Sequence, residues 1–167
     1  MHAEALDFVA RVLSEDVGDT TGLRVLEIGS RSEYRLGQPR DLCQGAFYVG
    51  IDRVAGRNVD LVCDVAQYDG MRQWDVVVCC EVLEHAPEPA VVIAAAWRAL
   101  KSGGRLILTA AGPERDPHSC EGGLPRPGEH YRGVDVAEIE RLLADWQEVR
   151  TEAHVERGDV YARAVRP

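Results

Sequence analysis

The chain holds no apolar run that approaches the length of a membrane span. Its first residues, Met1 to Asp7, are acidic and have neither the basic start nor the apolar core of a secretory leader. Both absences predict a soluble, cytoplasmic protein with no membrane partner. Lysine is nearly missing: Lys101 is the only one, and 19 Lys plus Arg against 28 Asp plus Glu leave a net charge of -9. That balance disfavours a nucleic-acid partner, because a polyanion is held largely by cationic side chains along its backbone. The five cysteines, Cys43, Cys63, Cys79, Cys80 and Cys120, form no CxxC pair, so they are read as reduced core residues with no metal bound. Repeats, low-complexity tracts and linkers are absent as well, and 167 residues suit one domain around one core.

What is present is an alternation of strand-length apolar runs with segments of helical period, the pattern of a parallel sheet covered on both faces. An opening helix is predicted over Asp7 to Glu15, with Phe8, Val12 and Leu13 inward. Strands are predicted at Arg24 to Ile28, Phe47 to Ile51, Val59 to Cys63, Trp74 to Cys80 and Arg105 to Ala110. The fourth is apolar at every position from Val76 to Cys80, which suits the middle of the sheet. Pro89 to Lys101 reads as a helix burying Val92, Ala95, Ala96, Ala99 and Leu100, ended by Gly103-Gly104. Residues 112–133 hold four prolines and five glycines and are predicted to be a long loop, of a length usually functional or disordered. A helix over Asp135 to Asp145 follows, with Val136, Ile139, Leu142 and Leu143 on one side. Val149 to Val155 and Val160 to Val165 then read as a hairpin turning at Arg157-Gly158-Asp159.

Open sheets of this kind bind ligands beyond the carboxyl ends of their strands. The first strand ends in Glu27-Ile28-Gly29-Ser30, where a glycine admits a ligand close to the backbone or merely makes the turn. A nicotinamide fingerprint needs G-x-G-x-x-G, and Gly29 to Tyr34 supplies only the first glycine. The second strand ends in Asp52, placed to accept both hydroxyls of a ribose or to cap a turn, with Arg53 beside it. Asp64 ends the third strand. It can take an adenine amino group while Val65 covers the ring, or it can cap a helix in solvent.

The fourth strand runs into Glu81-Val82-Leu83-Glu84-His85, followed by Leu100-Lys101-Ser102-Gly103-Gly104 and later by Pro127-Gly128-Glu129-His130-Tyr131-Arg132. With the glycine turn, these segments resemble small class I methyltransferases of the EVLEH type over about Val25 to Leu143. The resemblance implies an α/β, Rossmann-like, doubly wound sheet of seven strands, mainly parallel, with a reversed terminal hairpin and helices on both faces. It also implies S-adenosylmethionine across the strand ends and methyl transfer to a small molecule through oxygen or nitrogen. Glu27, Gly29 and Ser30 would line the methionine end, Asp52 and Arg53 the ribose, Asp64 and Val65 the adenine, and Cys80 and Glu81 the region of the sulfonium. Arg31 stands where many relatives carry a second glycine, and it is expected either to receive the methionine carboxylate or to impair cofactor binding.

Methyl transfer from a sulfonium is an in-line displacement, so positioning in a dry pocket supplies much of the acceleration. Where an acceptor proton must be removed, histidine suits the task near neutrality, and His85, His118 and His130 are the candidates. His85 also serves as a packing or turn-capping residue in such motifs, and a ligand set of His118, Cys120 and His130 matches no common metal spacing. A non-catalytic S-adenosylmethionine-binding domain or subunit acting with a partner is the second reading, and a homodimer or a partner subunit is the assembly considered. A nucleic-acid methyltransferase comes third, lacking an Asn-Pro-Pro-Tyr or Asp-Pro-Pro-Tyr tetrapeptide after the fourth strand.

Overall fold

A computed structural model describes residues 2–32 and 37–167. Its chain order is α1 (Ala3–Val12), β1 (Arg24–Ile28), α2 (Pro39–Leu42), β2 (Phe47–Asp52), β3 (Leu61–Val62), β4 (Trp74–Cys80), α3 (Pro89–Ala99), β5 (Leu100–Ala111), α4 (Val136–Leu142), β6 (Gln147–His154) and β7 (Asp159–Val165). The strands form one sheet in the order β3-β2-β1-β4-β5-β7-β6. β1, β2, β3, β4 and β5 pair in parallel, while β7 is antiparallel to both β5 and β6. This is the expected seven-stranded architecture with its reversed end, and β4 lies at its centre.

The pleat of β4 sends alternate side chains to opposite faces. Val77 and Cys79 join Leu26, Leu106, Leu108, Ile93, Ala96, Ile139, Leu143 and Trp146 on the side covered by α3 and α4. Val76, Val78 and Cys80 meet Ala5, Phe8, Val9 and Val12 of α1 on the other side. Those four positions of α1 recur at helical spacing, which is why that segment folds as an amphipathic helix over the sheet.

Boundaries depart from the sequence reading where side chains or neighbouring strands take over. The first helix begins at Ala3 rather than Asp7, because Ala5 is already part of its buried face, and after Val12 it widens into a π-turn over Leu13–Val17. The third strand shrinks to Leu61–Val62, both exposed. Ahead of it, Asp60 grips β2 with its side chain, its Oδ2 accepting from the Gly50 N–H at 2.7 Å while the Asp60 N–H donates to the Gly50 carbonyl at 2.8 Å. The α3 helix stops at Ala99, not at the glycine pair, because Leu100 pairs with Trp74 as the first residue of β5. Gly103 makes a bend with φ +77°, its N–H donating to the Arg166 carbonyl at 2.7 Å. The expected late helix is shorter, Val136–Leu142, and is capped by Asp135, whose carboxylate accepts from the Glu138 N–H at 2.7 Å. Residues 112–133 contain no helix or strand. Of the cysteines, Cys43, Cys79 and Cys80 are buried as expected, but Cys63 is half-buried and Cys120 exposed, so those two are not core residues. No helix among the described residues is long and apolar enough to cross a membrane.

Leu108, fully buried in β5 between its partners β4 and β7, tests this core. Leu108→Ala is expected to lower the urea-unfolding free energy by about 2–5 kcal/mol, the usual cost of a buried leucine cavity. A loss well below that range would mean that the sheet centre is less tightly packed than described.

Candidate active site

The ends of β1, β2 and β4 converge. At the end of β1, Gly29 has φ +76°, and its N–H and that of Ser30 both donate to the Ile51 carbonyl of β2, at 2.9 and 3.0 Å. A β-carbon on Gly29 would lie 2.3 Å from Val82 Cγ2, in the turn after β4. Glycine is therefore required by backbone conformation and by space together. Ser30 Oγ is buried and has no hydrogen-bond partner among the described residues. It sits against Gly50, where a β-carbon would come within 2.6 Å of it.

Asp52, half-buried, accepts through Oδ2 from the Arg31 N–H at 3.2 Å and through Oδ1 from the Val54 N–H at 2.9 Å. Two backbone donors thus fix the carboxylate while leaving it lone pairs for further donors. Arg31 lays its aliphatic stem beside Gly56 and reaches the 112–133 loop, with Nη1 at 3.5 Å from Glu121 and Nη2 at 4.0 Å from Cys120 Sγ. Glu33 and Tyr34, the end of the six-residue stretch compared with the nicotinamide fingerprint, lie outside the described residues. Asp64 caps the 3-10 turn Val65–Gln67, accepting from the Ala66 N–H at 2.9 Å, and faces the exposed Arg53 at 3.8 Å. Val65 is half-buried against the core.

Glu27 and Cys80 belong to the α1 face of the sheet. Glu27 is 4 % exposed and accepts from Tyr48 Oη at 3.1 Å. Burial pushes its carboxyl up to about 8, only partly offset by the Tyr48 hydrogen bond and the Arg40 charge. Burial also pushes the Cys80 thiol up, so it is not a ready nucleophile. Glu81 holds a left-handed conformation, φ +57°, rare for a residue with a side chain and characteristic of functional turns. Its Oε1 accepts from Thr109 Oγ1 at 3.0 Å, and its Oε2 lies 3.8 Å from His2 Nε2.

The histidines separate into a pair and an outlier. The rings of His85 and His118 meet edge to face at 5.3 Å between centroids, and the Tyr131 ring packs against both, at 5.5 and 4.8 Å. Burial lowers the His85 pKa, the neighbouring His118 lowers it further, and the backbone of His130 opposes both. His130 itself has Nε2 buried without a partner among the described residues. The 112–133 loop is braced by Ser119, whose Oγ donates to Glu129 at 2.9 Å, and by the Arg132 N–H, which donates to the Glu84 carbonyl at 2.8 Å.

A family model described as a methyltransferase domain matches residues 1–157. The chain belongs to that methyltransferase family. Among curated relatives, a ubiquinone biosynthesis O-methyltransferase of Xanthomonas oryzae is 33% identical over 120 residues, covering 62% of this chain and 47% of that protein. One of the same description from Pseudomonas aeruginosa is 54% identical over 37 residues, 22% of this chain and 16% of that protein. The chain thus spans less than half the length of these curated relatives. Solved structures of similar fold include 1,6-didemethyltoxoflavin-N1-methyltransferase of Burkholderia thailandensis, with S-adenosylhomocysteine bound (TM-score 0.69, 17% identity, 97% of this chain and 78% of that one). The N-methyltransferase NodS of Bradyrhizobium japonicum is another (TM-score 0.68, 19% identity, 98% and 95%).

Four residues of this methyltransferase domain that bear on its site escaped the sequence reading. Glu84 was visible inside the motif but not singled out; it is fully buried, and no side-chain donor among the described residues reaches its carboxyl. His2 lies 2.7 Å from the buried Asp159 and 3.0 Å from Glu4, and Asp159 also binds Arg115 and accepts from Tyr161 Oη at 3.2 Å. No local pattern announces these contacts, since they join the first residues to the last strand. Tyr131 was quoted only as part of a motif.

Two measurements test this geometry. Gly29→Ala is expected to destabilise the domain by roughly 1–3 kcal/mol through overpacking and left-handed strain. Val82→Ala should recover only the steric part in the double variant, and full recovery would show that backbone strain contributes nothing. Glu27 keeps its proton in the folded state up to about pH 8 but loses it near 4.5 when unfolded, so stability falls as pH rises across that window. The stability of Glu27→Gln relative to the parent should therefore grow from pH 5 to pH 8 in urea titrations. A constant difference would place the carboxylate in contact with water.

Proposed function

We propose that this domain binds S-adenosylmethionine across the ends of β1, β2 and β4 and methylates a small hydroxyl- or amine-bearing molecule. The observation that carries the reading is the junction of Gly29, Asp52 and the turn after β4 at three adjacent strand ends, in a chain of this family. When bound, the cofactor supplies a methyl group on a positively charged sulfur.

The chain's own groups suit each part of that ligand. Asp52, held by the Arg31 and Val54 N–H groups, keeps lone pairs for the two hydroxyls of a ribose. Val65 offers an apolar surface to the adenine ring, with Asp64 at its edge as an acceptor. Ser30 Oγ, buried without a partner among the described residues, is a donor beside the glycine turn. The Arg31 guanidinium can answer the methionine carboxylate by turning from Glu121, which makes the departure from glycine a change of partner rather than a loss of the site. Glu81, Cys80 and Val82 close the region where the sulfonium would lie. His85, His118 and Tyr131 line the side from which an acceptor would enter beneath the 112–133 loop. The relatives named as O-methyltransferases support transfer to oxygen, and the relatives of similar fold support a small-molecule acceptor.

Calorimetry with S-adenosylhomocysteine is the direct test. The domain is expected to bind it, and Asp52→Ala to weaken binding by more than tenfold, because two hydrogen bonds to a charged acceptor are lost. Unchanged affinity would remove Asp52 from the site, and absence of heat with either form of the cofactor would refute the reading as a whole.

A further inference from the structure

The two edges of the sheet are unequal. β3 is two residues long and offers little to another strand. β6 is eight residues long, pairs with β7 alone and leaves its other side open. Such an edge is a row of free N–H and C=O groups ready for another strand, and folded chains ordinarily guard it with proline, lysine or a bulge. β6 holds neither proline nor lysine, and its register shift, between Gln147 and Arg150, leaves Arg150 to His154 in unbroken register with β7. Arg150, Glu152 and Ala153 are exposed.

Side chains along this stretch alternate between the faces of the sheet. Thr151 turns toward α4, its Oγ1 donating to Glu140 at 2.9 Å. Arg150 and Glu152 turn toward α1, where they border an open cleft of about 450 Å³ with Phe8, Arg11 and Arg163. The charges on that face are unevenly matched. Arg163 pairs with Glu15 at 2.8 Å and with Asp16 at 3.1 Å, and Arg11 pairs with Oε1 of Glu152. Arg150 has no ion pair among the described residues. It also stands directly opposite Arg163 in the ladder, where like charges cost stability. An anion arriving from the open side would offset that repulsion.

We infer that β6 pairs antiparallel with β6 of a second copy of this chain, about a two-fold axis at Thr151. In that register Arg150 of each subunit lies opposite Glu152 of the other, and directly opposed residues share a face, so both pairs form on the α1 side. Glu152 then stands between Arg11 of its own subunit and Arg150 of its partner, with Oε2 left for the second of these. The order of charges selects this register. An axis at Arg150 would oppose the two copies of Arg150, an axis at Glu152 would oppose the two copies of Glu152, and the intermediate registers set each charge against a neutral residue. Because the contact uses the same strand of both subunits, it closes on itself as a dimer and joins the two sheets into one. β6 lies at the opposite side of the sheet from β1 and β2, so the pairing leaves the strand ends of the candidate site uncovered.

Sedimentation velocity of the full chain over a series of concentrations tests the pairing, with urea unfolding of each variant to show that it is folded. A reversible equilibrium between monomer and dimer is expected, stopping at the dimer and weakening as salt is raised. Arg150→Glu and Glu152→Arg should each raise the dimer dissociation constant by about tenfold or more, since each sets like charges against one another across the axis. The double variant restores opposite charges and should recover most of that loss. A folded chain that stays monomeric at every concentration overturns the inference, and so does growth beyond the dimer. A dimer indifferent to Arg150→Glu places the contact elsewhere than β6. Weakening by both single changes without recovery in the double variant overturns the register.

Discussion

The approach of the turn after β4 to the turn after β1 is the constraint from which the site follows. With Val82 Cγ2 where a β-carbon of Gly29 would stand, the two central strands end almost in contact, and the chain on either side must leave at fixed angles. Gly29 does so in a left-handed conformation, and so, unusually, does Glu81. The β4 turn therefore stands on a rigid base, because the strand beneath it is buried on both faces of the sheet by α1 and α3. Strain at Glu81 is sustained by that support, and it aims the Glu81 carboxylate at Thr109 and His2 rather than along the strand.

Electrostatics sharpen the consequence of that rigidity. Glu81, Glu84 and Asp159 crowd the same end of the sheet, and the first residue to answer them is His2, brought there by the start of α1. Asp159 has Arg115 and His2, which hold its carboxyl below the usual range. Glu84 has no such partner, and burial together with the Glu81 charge pushes it up to about 8. The two carboxyls are thus shifted in opposite directions, Glu84 by burial and the Glu81 charge and Asp159 by His2 and Arg115.

Much of this was legible in the sequence, and the reason is local. β1 and β4 were placed to the residue because their apolar runs are bounded by turn residues and their side chains face packed layers on both sides. The hairpin was legible from the Gly158 turn. β3 was not, because the Asp60 carboxylate rather than a backbone carbonyl takes the Gly50 N–H, and periodicity does not record that substitution. The α3 boundary failed for a similar reason: the glycine pair is a valid stop signal, yet the demand of Trp74 for a strand partner ends the helix earlier. The positions of Asp52 and Gly29 at strand ends were predictable because both follow directly from the local apolar runs and turn residues. The contacts of His2 with Asp159 and of His85 with His118 were not, because they depend on how distant segments fold back.

The 112–133 loop shows what this division means for specificity. Its proline and glycine content marks it as irregular, but its order comes from particular bonds: Ser119 and Arg126 to Glu129, and Arg132 to the Glu84 carbonyl. The last of these ties the loop to the same turn whose position is fixed by Gly29. A loop anchored there carries His118 and Tyr131 to His85, so these three rings and the glycine turn share one rigid element. Changes elsewhere in the loop can then alter its surface without disturbing the strand ends, the arrangement by which rigid scaffolds carry variable loops.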